Sequence, residues 1–221
     1  MSVAKMRNLL GVGDIFDGFV PEFDVDLQGW NSDCKAFDIL SETTRPMIAF
    51  DVGVWKGGST IAMAQRMRDA GTPGFVIAID TFLGSPEHWL PGPHGDFRTD
   101  LIFHRGSPRL YWQFLSNVVH SGLQDYVIPL RQTSTNAATI LGQLGVSADV
   151  IHIDAAHDYR SVYDDLTMYW NLVRNGGAMV ADDYIEEWPA VLKAVDDFCA
   201  TVSCQKATVV PKAILTRPGH A

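Results

Sequence analysis

VIHIDAAHDYRSVY, residues 150–163, joins two periodicities within a few positions. VIHI is a continuous apolar run interrupted only by His152, as expected of a short strand covered on both faces of a sheet. From Tyr159 onward apolar residues recur at i, i+3, i+4 and i+7: Tyr159, Val162, Tyr163, Leu166, Tyr169, Trp170 and Val173. That is the stripe of a helix packed on one side. Asn175 and Gly176, by helix-end chemistry, are expected to stop it. Asp154 and His157 stand between the strand and the helix.

The same alternation extends in both directions. MIAFDVG (47–53) is an apolar run ending in an acid and a glycine, and STIAMAQRMRDAG (59–71) sets Ile61, Met63, Ala64 and Met67 at helical spacing. FVIAID (75–80) is again continuous rather than alternating. YVIPLRQ (126–132) is a further strand in which Pro129 marks an end or a sheet edge. A helix is expected from Ser107 as cap and Pro108 in the first turn, with Leu110, Tyr111, Phe114, Leu115, Val118 and Val119 as its apolar face. A short helix over 136–144, a strand GAMVADD (177–183), a helix over 189–200, and the β-prone pieces ATVV (207–210) and KAILT (212–216) complete the pass.

This rhythm predicts an α/β fold, a Rossmann-like doubly wound and mainly parallel sheet with helices on both faces. Residues 46–221 form its domain, and residues 1–45 an N-terminal extension read as a helical cover. TFLGSPEHWLPGPHGDFRTD (81–100) has three prolines and no periodicity. It places a loop insertion at 84–104, of a length usually found in lids and binding loops. His88, Trp89 and His94 in it either close over a substrate or fold the loop onto the domain.

Seventeen basic against twenty-six acidic residues give a net charge of −9. Basic residues cluster no further than Arg66 and Arg68, so a nucleic-acid surface is excluded and a small-molecule partner favoured. Cys34, Cys199 and Cys204 form no C-x-x-C pair, which argues against a disulfide framework or a zinc site and for a reducing, cytoplasmic setting. No signal core and no membrane-length apolar window is present.

Doubly wound sheets bind ligands at the carboxyl ends of their strands. Those ends carry Asp51 with the loop Gly53, Gly57, Gly58 and Ser59, then Asp80, then Gln132 to Ser134, then Asp154 with His157, then Asp182 and Asp183. The glycine spacing is neither G-x-G-x-x-G nor a P-loop, so it is either a tight turn or a close approach to a ligand. Asp80 suits the hydroxyls of a ribose, or else caps a helix. Three carboxylates, Asp154, Asp182 and Asp183, can converge; burying them together is costly unless cations or hydrogen-bond donors are present, and an oxygen donor set suits Mg²⁺, Mn²⁺ or Ca²⁺ rather than zinc. His157 either accepts a hydroxyl proton near neutral pH or packs on the helix that follows. His152 reads as a core histidine. Asp158, Asp164 and Asp165 read as a solvated helix face, with Asp164 in reach of Arg160.

The strand-end pattern resembles class I S-adenosylmethionine-dependent methyltransferases over about residues 50–198. FDVGVWKGGST (50–60) resembles the first motif, AIDTF (78–82) the ribose-binding acid, and residues 147–184 the later motifs. That last block, with D-x-x-H-x-Y, G-G and D-D-Y in order, is similar to the metal-dependent O-methyltransferases of the macrocin type, which modify antibiotic sugars. The resemblance implies that Gly53, Gly57, Gly58 and Ser59 line the methionine part of S-adenosylmethionine, with Asp51, Trp55 and Thr81 in the same site. It places Asp80 at the ribose, Gln132, Thr133 and Ser134 by the adenine, and Asp154 beside the sulfonium. Asp154, Asp182 and Asp183 would bind Mg²⁺ (or Mn²⁺), and His157 would be the general base of methyl transfer to a small-molecule hydroxyl, a sugar among them. Self-association is common in such enzymes, so the resemblance admits a homo-oligomer and leaves the oligomeric state open. A nicotinamide-dependent oxidoreductase and a catalytically inactive cofactor-binding protein are the alternatives.

Overall fold

The computed structural model describes residues 1–30, 32–92 and 95–219, which leaves His94 outside the described residues. In chain order the elements are α1 (Val3–Leu10), α2 (Lys35–Thr43), β1 (Ile48–Val52), α3 (Gly58–Asp69), β2 (Phe75–Asp80), α4 (Pro86–Trp89), a 3-10 turn (Arg98–Leu101) and α5 (Leu110–His120). There follow β3 (Val127–Arg131), α6 (Ser134–Gln143), β4 (Ala148–Ile153), α7 (Tyr159–Trp170), β5 (Val173–Ala181), α8 (Pro189–Thr201), β6 (Gln205–Val209) and β7 (Lys212–Thr216).

The strands form one sheet in the order β3-β2-β1-β4-β5-β7-β6. The first five are parallel, and β7 and β6 add antiparallel at the far side. Because side chains alternate across a strand, Phe50, Val52, Ile77 and Ile79 join one core with α1, α6, α7 and α8. Ala49, Val76, Ala78 and Val150 join a second core with α2, α3 and α5. Both faces are therefore covered, which is why the parallel strands read as unbroken apolar runs. Pro129 lies in β3, an edge strand, where a missing N–H costs no ladder bond to a further neighbour.

Three local expectations are corrected. Ser107 and Pro108 do not start α5. The backbone of Ser107 is engaged with His104 in a two-way bridge at 2.9 and 3.0 Å, and the helix begins at Leu110 with Arg109 at its cap. Helix α7 ends at Trp170, so Val173 extends the helical spacing by coincidence and belongs to β5. Asn175 and Gly176 lie inside β5, whose pairing with β4 shifts register between Ala148 and Val150; Gly176 takes φ +77° there and donates to Arg217 O at 3.1 Å. The insertion also contains the short α4 and the 3-10 turn, where no period was legible.

Residues 1–45 cover the sheet with two short helices on opposite faces rather than as one helical layer. Between them, residues 22–26 are fixed to a polar face of α5. Ser116 Oγ accepts from Glu22 N at 3.1 Å, Asn117 Oδ1 accepts from Asp26 N at 3.1 Å, and Gln113 Nε2 donates to Asp24 O at 2.9 Å. Lys56 at the end of the first glycine loop adds ion pairs to Asp26 at 2.6 Å and Asp100 at 3.1 Å. Extension, glycine loop and insertion are thereby tied together over one end of the sheet.

Candidate active site

Parallel pairing sets Asp51 of β1 beside His152 of β4. Asp51 Oδ1 lies 2.8 Å from His152 Nδ1, while its Oδ2 accepts from Ser59 Oγ at 2.8 Å and from Thr60 Oγ1. His152 Nε2 lies 3.2 Å from Asp182 Oδ2, which is also paired with Lys212 Nζ from β7. All four groups are buried. Burial and the Lys212 ammonium lower the pKa of His152, but Asp182 and Asp51 outweigh them and raise it to about 9. Two carboxylates thus face an imidazolium and an ammonium, a charge-balanced tier under the strand ends. Pairing of this kind is what makes buried charge tolerable.

Above it stands a tier with an excess of acid. Asp154 follows β4, Asp183 follows β5 in the left-handed region (φ +51°), and Glu87 reaches in from α4. His157 sits among them, with Nδ1 2.9 Å from Glu87 Oε1 and Nε2 2.9 Å from Asp183 Oδ2 and 3.8 Å from Asp154 Oδ1. The Nε2 contacts lack hydrogen-bond alignment, so this buried nitrogen has no hydrogen-bond partner. The ring stacks on Trp188 with centroids 4.2 Å apart. Burial lowers the His157 pKa, yet contacts with Asp154, Asp183 and Glu87 push it up to about 12. Asp154, deep in the fold though partly open to the cavity, is pushed up by burial and then by Asp182 to about 7. Glu87 is lowered, chiefly by its hydrogen bond with His157.

The upper tier, and Asp182 alone from the lower one, border a cavity of about 420 Å³ at the carboxyl ends of the parallel strands. Of the residues expected in a site, Gly53, Trp55, Asp80, Thr81, Gln132, Thr133, Ser134, Asp154, His157, Asp182 and Asp183 line it. Asp51, Gly57, Gly58 and Ser59 do not. Asp51 is sealed by its bonds to His152, Ser59 and Thr60, and the two glycines serve close chain packing. A Cβ on Gly57 would lie 2.7 Å from the Phe114 ring, and one on Gly58 2.3 Å from Ser32 Oγ. Gly53 is needed for the same reason, with φ +89° and a Cβ position 2.1 Å from the carbonyl oxygen of Asp154. Asp80 holds the loop over the cavity: its Oδ2 accepts from Val54 N and Trp55 N, both at 2.8 Å, and its Oδ1 from Phe82 N at 2.7 Å. Burial nevertheless leaves its pKa raised.

With that geometry in place, likeness to known proteins is informative. Residues 50–184 match the family model described as a methyltransferase domain. The chain belongs to that methyltransferase family. An uncharacterized protein of Acanthamoeba polyphaga mimivirus is 36% identical over 158 residues, 71% of this chain and 61% of the viral protein, so the chain spans under two thirds of that relative's length. Among solved structures, the O-methyltransferase NovP superposes with a TM-score of 0.60 at 23% identity, over 84% of this chain and 80% of NovP. An O-methyltransferase from Bacillus cereus in complex with SAH does so with a TM-score of 0.54 at 14% identity, over 98% and 91% of the two chains. Both show the fold.

Four contributors to the site were not singled out from sequence. Lys212 begins an apolar strand, KAILT, and a lysine after Pro211 in such a run is the signal that could have flagged it. Glu87 carried no period, because α4 is a single turn. Asp165 is buried and lines the cavity instead of facing solvent, on one face of α7 with Ser161 and Met168 at i−4 and i+3. Trp30 of the extension lies 6.0 Å from Trp55 and 5.4 Å from Phe97, while Trp55 stacks on His88 at 4.1 Å. His88 thus joins an aromatic roof, whereas Trp89 packs outward on Phe103. No helix among the described residues is long and apolar enough to cross a membrane.

Proposed function

We propose that this methyltransferase moves the methyl group of S-adenosylmethionine to a hydroxyl oxygen of a small molecule, a sugar among the candidates, with His157 as general base and a divalent cation, Mg²⁺ or Mn²⁺, in the site. The observation that carries the reading is His157: a half-buried imidazole at the mouth of the cavity, its Nδ1 2.9 Å from Glu87 and its Nε2 turned between Asp183 and Asp154.

The donor chemistry fits a hard cation. The lower tier is balanced by Lys212 and His152, but the upper tier sets three carboxylates against one imidazole. Ligand atoms of Asp154, His157 and Asp183 lie within 4.8 Å of one another. Asp154 and Asp183 would hold the ion, with Asp182 beneath them as the third acid, its Oδ2 already paired with Lys212. Bound there, a divalent cation would lower the pKa of an acceptor hydroxyl.

The chain's own groups account for the remaining roles. Asp80 and Gln132 to Ser134 line the part of the cavity suited to a nucleoside, and Asp154 places negative charge where a sulfonium would sit. A cation held by Asp154 and Asp183 would offset the negative charge that favours the protonated form of His157. The neutral ring can then take the acceptor's proton at Nε2 as the O–CH₃ bond forms and the S–CH₃ bond breaks. Trp30, Trp55 and His88 form an aromatic border on the same cavity.

The test is calorimetric titration with S-adenosylmethionine, with and without Mg²⁺ and with NADH as control, followed by methyl transfer to a panel of sugar and catechol hydroxyls. Saturable binding of the methyl donor and transfer to oxygen support the reading. A protein that leaves S-adenosylmethionine unbound overturns it.

A further inference from the structure

We propose that Asp165 reads the purine base of the methyl donor, its carboxylate accepting a hydrogen bond from the exocyclic amine of adenine. The proposal rests on S-adenosylmethionine occupying the cavity and assigns a recognition role to an acid on the helix after β4. Asp165 is 5% exposed and lines the cavity. It lies where α7 meets the N-terminus of α6, a junction fixed by the hydroxyl of Tyr169 donating to Ser134 O at 2.9 Å.

Three observations point to a ligand donor. Among the described residues no lysine, arginine or histidine forms an ion pair with Asp165, although its neighbour Asp164 is paired with Arg160 at 3.1 Å on the exposed side. Ser134, at the start of α6, is the one side chain whose hydroxyl favours the ionised form of Asp165. An ionised carboxylate has about four acceptor positions, and those of Asp165 that border the cavity are open to a ligand donor. The surroundings also match a flat heterocycle carrying an amine: Met168 contributes an apolar wall beside Asp165, and Thr133 and Ser134 border the same end. Asp80, another acid lining the cavity, already receives three backbone N–H groups at the end of β2. Burial pushes the Asp165 carboxyl up to about 6, with Asp164 and Asp158 adding to the rise, in keeping with a carboxylate short of donors.

An acceptor at this place distinguishes purines by the group at position 6. Adenine presents N–H there; hypoxanthine presents a carbonyl oxygen, which a carboxylate repels. The experiment compares S-adenosylhomocysteine with S-inosylhomocysteine by calorimetry on the full chain, in wild type, Asp165→Asn and Asp165→Ser, with thermal melting as the folding check. Binding of the demethylated product needs neither acceptor nor turnover. The wild type is expected to prefer the adenosyl compound at least ~tenfold, the scale of one hydrogen bond to a charged group. Asp165→Asn, whose amide can donate to a carbonyl, is expected to bring the two within ~threefold. Equal affinity for both compounds in the wild type, or an unchanged preference in either folded variant, overturns the assignment to Asp165. Failure of the wild type to bind either compound instead overturns the cofactor reading on which it rests.

Discussion

Lys212 Nζ is paired with Asp182 Oδ2 in the interior, and both groups touch His152. The ammonium is supplied by β7, a strand that adds antiparallel to the parallel sheet, so the last hairpin of the chain neutralises an acid at the tip of β5. Removing one partner of a buried pair leaves the other uncompensated, at a cost of about 3–5 kcal/mol. Lys212→Met is therefore expected to lower unfolding stability by about that amount in urea titration. Asp182→Asn combined with it should recover part of the loss. A single variant as stable as the wild type would show that Asp182 is satisfied without the lysine.

His157→Ala removes the group proposed to accept the acceptor's proton while leaving the nucleoside end of the cavity intact. Turnover should fall by about 10²–10⁴-fold, the usual contribution of a general base. Calorimetric affinity for S-adenosylhomocysteine should stay near wild type. Full activity in the variant would remove His157 from the chemistry.

Glu87 is the one carboxylate that reaches His157 from the insertion, at 2.9 Å from Nδ1. With Trp188 stacked on the ring, it fixes the direction in which Nε2 points. Glu87→Gln keeps the size of the side chain and loses its charge; kcat should drop about 10- to 100-fold, as for other groups that orient a site histidine. KM for the methyl donor should be unchanged, and the pH profile of kcat should shift. Equal losses in kcat and donor affinity would instead indicate a collapsed insertion.

The order of strands and helices was legible because each parallel strand is buried on both faces and each crossover helix on one, so hydrophobic period maps directly onto the fold. Strand ends likewise located Asp154, His157, Asp182 and Asp183 around one cavity. Contacts between residues distant in sequence were not legible. Asp51 looked like a cofactor ligand because it follows an apolar run, but it sits one position before the strand tip and pairs with His152 across β1 and β4. Asp165 looked solvated because the apolar stripe of α7 was traced through Leu166 and Tyr169; a helix wedged beside a cavity buries a second face as well. The misplaced end of α7 has the same origin, since Val173 continues a helical spacing while pairing as a strand.

Asn117 on α5 is fully buried and connects three segments. Its Oδ1 accepts from Asp26 N at 3.1 Å and Gln113 Nε2 at 3.0 Å, and its Nδ2 donates to Asp26 O and Lys56 O, each at 2.7 Å. Asn117→Ala strands several of these groups at about 1–3 kcal/mol for each one left buried and unpaired. Residues 22–28 should then release from α5, giving a lower melting temperature and faster proteolytic cleavage within residues 11–34. Unchanged cleavage would mean that the extension is held by its apolar contacts alone.

The purine-reading role of Asp165 carries a pH dependence with a defined sign. Its folded carboxyl is pushed up by burial to about 6, with the exposed acids Asp164 and Asp158 of its own segment adding to the rise and the Ser134 hydroxyl of α6 opposing it. An amine donor binds the ionised form. Below about pH 6 the free protein carries a proton on Asp165 that must leave before the bond can form, so affinity weakens as pH falls, approaching tenfold per unit. S-adenosylhomocysteine is the suitable probe, because it lacks the sulfonium charge that would bring Asp154 into the same titration. Calorimetry between pH 5 and 8 should show tightening through about pH 6 in the wild type and a flatter profile in Asp165→Asn. A profile of the same shape in both proteins would assign the titration to another group.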